Sequence, residues 1–186
     1  GANQAVMARR LNATVSMVNT LGDDVFGDTT LTNFQEQGID VTFVARAPGA
    51  SGVAPIWVEP DGTNRIICVP GANNAMTPAE AKSALETLKG YQIVIGQLEI
   101  PQEVTIEAFK TAHKYGAITI LKLLCLDLII FINSLKYGHF LCESCGEQNG
   151  KSNMYSSLVY CRVSLDTSSS AQSRFIFLFL TYKLVE

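Results

Sequence analysis

Asn3 and Glu99 are the residues whose type and setting could do chemistry. Asn3 stands at the start of the helix-forming run Ala2 to Leu11, where free backbone N–H groups collect. One reading makes it a helix cap, a place where Asn is favoured. The other has Gly1 letting a ligand approach the backbone while Asn3 bonds its hydroxyl groups. Glu99 closes the apolar run "QIVIGQLE". If that run is a strand in a parallel sheet, Glu99 lies where such sheets bind ligands, outside the carboxyl ends of their strands. A carboxylate there accepts hydrogen bonds from hydroxyls; otherwise it is a solvated loop charge.

Other chemistries find less support. His139, Cys142 and Cys145 have an acceptable spacing for half a zinc site, with Cys161 as a possible fourth ligand, but a lone C-x-x-C is a weak signal. The chain contains no G-x-x-x-x-G-K-[ST] and no G-x-S-x-G, and its two histidines leave a hydrolase triad little to stand on. A net charge of −3 gives no basic field for nucleic acid or anionic lipid. The run Ala117 to Ile132 is interrupted by Lys122 and Asp127, so no membrane span is expected. Five cysteines, an odd number, and no visible secretory leader read as an intracellular, reducing setting, either the cytoplasm or an organelle reached through a targeting peptide since removed.

The elements that must position Asn3 and Glu99 alternate. Helix 2–11 leads to a strand at "TVSMVN", a turn through "LGDDVFGD" leads to a helix over "TTLTNFQEQ", and "VTFVAR" returns as a strand. This is the βα pattern of a mostly parallel sheet. "SGVAPIWVEP" and "TNRIICVP" flank Pro60, Asp61 and Gly62 and predict a hairpin, a small β excursion. Thr77, Pro78 and Glu80 spell a capping box before a helix with Ala81, Ala84, Leu85 and Leu88 on one face. Pro101 opens another helix, buried through Val104, Ala108, Phe109 and Ala112, and "AITIL" is the next parallel strand. Beyond Leu121 the period is lost, so residues 122–186 read as an irregular, non-homologous tail whose folding the pattern leaves open. Within it, "FIFLFL" is an uncharged, β-prone segment of the kind that associates.

"GANQAVMARRLNATVSMVNTLGDDVFGD", "GIDVTFV", "SGVAPIWVEPDGTNRIICVPGAN" and "GQLEIP", in that order, resemble the first half of a ribokinase, within the PfkB-type carbohydrate kinases. The likeness is collinear from Gly1 to about Leu121, and "GANQ" is similar to the end of the ribokinase motif Gly-Gly-Lys-Gly-Ala-Asn-Gln. It implies an incomplete three-layer αβα, Rossmann-like sheet in a partial kinase domain over 1–121, with a lid at about 40–70. By the same resemblance Gly1 belongs to a close-approach turn, Asn3 and Glu99 bind the sugar, and Ala54 and Ile56 line the lid side of the pocket. The lid often contributes to a dimer in the family. The family transfers the γ-phosphoryl group of Mg-ATP to O5 of ribose, assisted by a monovalent cation. Its first strand, its Gly-Gly-Lys and its catalytic Gly-Ala-Gly-Asp have no counterpart in these residues. The resemblance therefore implies a truncated form with little nucleotide binding and no turnover, or alternatively a non-catalytic sugar-binding or dimerising module.

Overall fold

The computed structural model describes residues 1–124, 139–143, 145–148, 151–154, 174–178 and 183–185. Its centre is a six-stranded sheet with strand order β2-β1-β10-β5-β6-β7 and every pairing parallel. The strands are β1 (Thr14–Gly22), β2 (Asp40–Ala47), β5 (Ile93–Gln97), β6 (Ile118–Leu124), β7 (His139–Glu143) and β10 (Arg174–Leu178). Side-chain alternation along β1 supplies a core to each face. Val15 and Met17 pack with Ala5 of α1 (Ala2–Arg10) and Phe34 of α2 (Val25–Glu36). Val18 packs with Leu85 of α3 (Pro78–Thr87) and Phe109 of α4 (Gln102–Lys114) on the other face. Helices thus cover both sides of the sheet, the three-layer arrangement expected of βα alternation.

The excursion forms a second sheet. β3 (Val53–Val58) and β4 (Asn64–Ile66) pair antiparallel around Gly62, whose φ of 86° suits the turn. A third strand, β11 (Lys183–Val185), joins β3 in parallel. A separate hairpin pairs β8 (Cys145–Gln148) with β9 (Lys151–Met154).

Local signals explain most boundaries. Thr77 and Glu80 form the reciprocal capping box, with Pro78 opening α3. α2 begins earlier than the turn expected across "LGDDVFGD", because the Asp24 carboxylate accepts from the Gly27 N–H at 2.8 Å and caps the helix there. β1 runs three residues past "TVSMVN", to Gly22, and β6 continues through Leu121 to Leu124. The larger difference lies after Leu121. Described parts of the expected irregular tail contribute strands, and Arg174–Leu178, which includes the first four residues of the "FIFLFL" run, lies inside the main sheet between β1 and β5. Periodicity could not reveal this, since a strand in a sheet covered on both faces needs no alternation.

Candidate functional site

The carboxyl end of the sheet gathers a polar group from three elements. α1 runs back along β1, so its N-terminus lies at the end where β1 and β5 finish. The Gly1 amine donates to Gln97 Oε1 at 3.2 Å, and Gln97 Nε2 donates to Gln4 Oε1 at 2.9 Å. Gln97 ends β5 and is buried, so these bonds fix the start of α1 against the strand tip. Glu99 follows two residues later and is half-buried.

Its electrostatics follow from that burial. Desolvation raises the Glu99 carboxyl above the usual carboxylate range, while the Gly1 amine and Lys122 act in the opposite sense. Gly1, Glu99 and Lys122 therefore form one interacting set, with Gln97 and Gln4 bonded beside it. Such a set can accept and donate hydrogen bonds to a polyhydroxylated ligand.

The structure brings Gly1 and Glu99 together. Asn3 is the second residue of α1 and is exposed; Gly1 occupies the cap position, so Asn3 is not the cap that composition allowed. Ala54 and Ile56 belong to β3 in the second sheet, Ala54 buried and Ile56 half-buried. The side chains of His139, Cys142, Cys145 and Cys161 lie outside the described residues. Among the described residues no cluster of His, Cys, Asp or Glu is arranged to hold a metal ion.

Two features escaped the sequence reading. Gln97 stands inside "GQLEIP" beside the more conspicuous Glu99. A second network ties the excursion to the core: the Asp24 carboxylate accepts from Ser51 N (2.9 Å) and Ser51 Oγ (2.6 Å), and Ser51 Oγ accepts from Gly22 N (3.0 Å). The Ser51 hydroxyl is the main cause holding the Asp24 carboxyl below its ordinary value, with the Gly27 and Ser51 N–H groups adding to it. Gly22 is required, since a Cβ there would stand 2.2 Å from Ser51 N. A cavity of about 440 Å³ lies elsewhere, between β1, β2 and α3; Thr20, Phe43 and Ser83 line it, and Gly1, Asn3 and Glu99 do not.

An open parallel sheet covered on both faces and carrying a β excursion defines an α/β protein of Rossmann-like type, a fold whose ligands lie outside the carboxyl ends of the strands. Residues 1–127 match the pfkB family carbohydrate kinases, and the chain belongs to that family. It is 41% identical over 117 residues to a deoxyribokinase of Salmonella typhi, covering 62% of this chain and 38% of that protein. A ribokinase of Bacillus subtilis is also 41% identical, over 116 residues, covering 62% of this chain and 39% of its own length. Among solved structures, an Arabidopsis thaliana ribokinase complexed with ribose and ATP superposes with a TM-score of 0.56 at 28% identity, covering 66% of this chain and 40% of that one. The chain thus spans about two-fifths of the length of these relatives.

Proposed function

We propose that these residues form the sugar-binding half of a ribokinase-like carbohydrate kinase whose full reaction phosphorylates D-ribose at O5 with Mg-ATP. The observation that carries this reading is the joining of Gly1, Gln97, Glu99 and Lys122 at the carboxyl end of the parallel sheet. Gly1, Asn3 and Glu99 bind sugar hydroxyls, and Ala54 and Ile56 close over them from the excursion, which acts as the lid. A ribokinase complexed with ribose and ATP among the structural neighbours supports this choice of ligands.

Catalysis requires more than this half. The 186 residues contain no Gly-Ala-Gly-Asp to supply a base and anion-stabilising N–H groups. Lacking a base costs about 10²- to 10⁴-fold, and lacking such donors about another 10²- to 10³-fold. The chain on its own is therefore expected to bind ribose without phosphorylating it, and to bind Mg-ATP and a monovalent cation poorly. Calorimetric titration with ribose, with and without Mg-ATP, beside a phosphorylation assay, tests both statements. Turnover would overturn the assignment of the missing half, and no ribose binding would overturn the half-site.

A specific observation favours a dimerising role alongside. Trp57, Val58, Ile66, Ile67 and Val69 of the excursion are each about half or more exposed, an apolar surface of the kind that marks contact sites. A homodimer through the lid would cover it. Sedimentation of the chain beside a Val58→Glu variant is the check: a dimer lost in the variant supports this contact, and a wild-type monomer at tens of micromolar rejects it.

A further inference from the structure

Side-chain alternation decides where Gln97 points. Along β5, Val94 belongs to the core under α3 and α4, and Ile95 packs against the core under α1 and α2. Gln97 lies two residues beyond Ile95, so its side chain faces α1. It is 7% exposed, and a buried amide needs partners for both its oxygen and its NH2 group. Both come from the first turn of α1. The Gly1 nitrogen donates to Gln97 Oε1 at 3.2 Å, and Gln97 Nε2 donates to Gln4 Oε1 at 2.9 Å. Gly1 and Gln4 are themselves joined, since the Gln4 N–H donates to the Gly1 carbonyl at 3.0 Å. One amide therefore grips the turn at its beginning and at its end.

The strand side of this grip is held separately. Gln97 stands in register with Lys122 of β6, and Thr105 Oγ1 of α4 lies 3.5 Å from the Gln97 carbonyl oxygen. The helix side has less to hold it, because Gly1 is the N-cap residue and brings no side-chain cap. Asn3 sits between the two gripped residues, and Glu99 stands two residues beyond Gln97. The amide thus joins the two parts of the candidate site. Gln97 itself is not a ligand contact, since it is buried and both ends of its amide are engaged by α1.

We propose that Gln97 is a positioning residue of the sugar site, whose buried amide clamps the first turn of α1, and with it Gly1 and Asn3, at a fixed distance from Glu99. This inference rests on the sugar-site reading given above and adds to it a residue that acts through its neighbours. Glutamine suits the task because one planar group offers an acceptor to Gly1 and a donor to Gln4. Methionine has similar reach and can do neither. Releasing the turn lets Asn3 drift from Glu99, and a misplacement of about 1 Å costs up to about 10²-fold where binding groups must converge.

The test is titration of the full chain with ribose, wild type beside Gln97→Met, Gln4→Met, the double variant and Gln4→Glu, each with a melting curve. Gln97→Met should weaken ribose binding about 10- to 100-fold. Gln4→Met, which loses one bond, should weaken it about 2- to 10-fold. The double variant should be no weaker than Gln97→Met, because both changes break one clamp. Gln4→Glu keeps the acceptor and should stay within about threefold of wild type, a rescue that a merely structural role for the position does not require. The Gln97 side-chain amide protons, followed by NMR, should exchange slowly in wild type and in Gln4→Glu and quickly in Gln4→Met. Should Gln97→Met fail to fold, the comparison of Gln4→Met with Gln4→Glu carries the decision. Equal ribose affinity in wild type, Gln97→Met and Gln4→Met overturns the proposal and leaves the sugar reading standing, as do losses that multiply in the double variant. A wild type that binds no ribose sinks the sugar reading and this inference with it.

Discussion

Glu99 carries opposed demands. Burial raises its carboxyl above the ordinary value although Gly1 and Lys122 favour the charge. A carboxyl raised in the folded state favours folding while protonated, and that stability is lost as pH rises from the ordinary carboxylate range through the raised value. Glu99→Gln should therefore melt no lower than wild type at neutral pH, with less loss of stability across that window. The same change should weaken ribose binding about 10- to 100-fold, the size of a charged hydrogen bond; melting curves and titration read the two effects separately. Asp24 behaves in the reverse sense. Its lowered carboxyl contributes stability above the ordinary range that is lost as pH falls through its folded value. Asp24→Ala should cost about 0.5–2 kcal/mol as a lost cap and flatten the acid limb of stability, as denaturant titrations at several pH values would show. Glu99 was legible because a lone carboxylate after an apolar run is conspicuous. Gln97 and Ser51 were not, because neither ionises and each acquires meaning only from a partner distant in the chain.

At the scale of elements, helices and strands with local punctuation were readable before their packing was. The capping box of α3, the hairpin at Gly62 and the buried face of α4 each follow from a few adjacent residues. β10 has no such signal, since only the tertiary gap between β1 and β5 makes a strand of it. Close contacts between elements are equally hidden. Gly96 of β5 lies against Phe109 of α4, and a Cβ there would stand 3.1 Å from the ring. Gly96→Ala should push α4 from the sheet and cost about 1–3 kcal/mol, measurable by urea unfolding. A paired Phe109→Leu substitution should recover part of that loss, because it shortens the side chain that must give way.

For the whole molecule, the sugar binding proposed above should be linked to unfolding. Ribose at about 100 times its dissociation constant should add about 2.7 kcal/mol to the unfolding free energy. Thermal scans at increasing ribose concentration would show it, and glucose at equal concentration should do less. The fold class and the order of layers were legible because βα alternation belongs to consecutive residues. The completion of both sheets was not, since it joins the early strands β1 and β3 to β10 and β11. That remote pairing also sets a schedule for synthesis. On a ribosome adding about 5–20 residues per second, β5 emerges roughly 4–16 s before β10. Throughout that interval β1 and β5 wait for the strand that pairs with both of them in this structure. Slowing translation between residues 97 and 174 should therefore lower the soluble yield of this chain, whereas an equal pause before residue 93 should not.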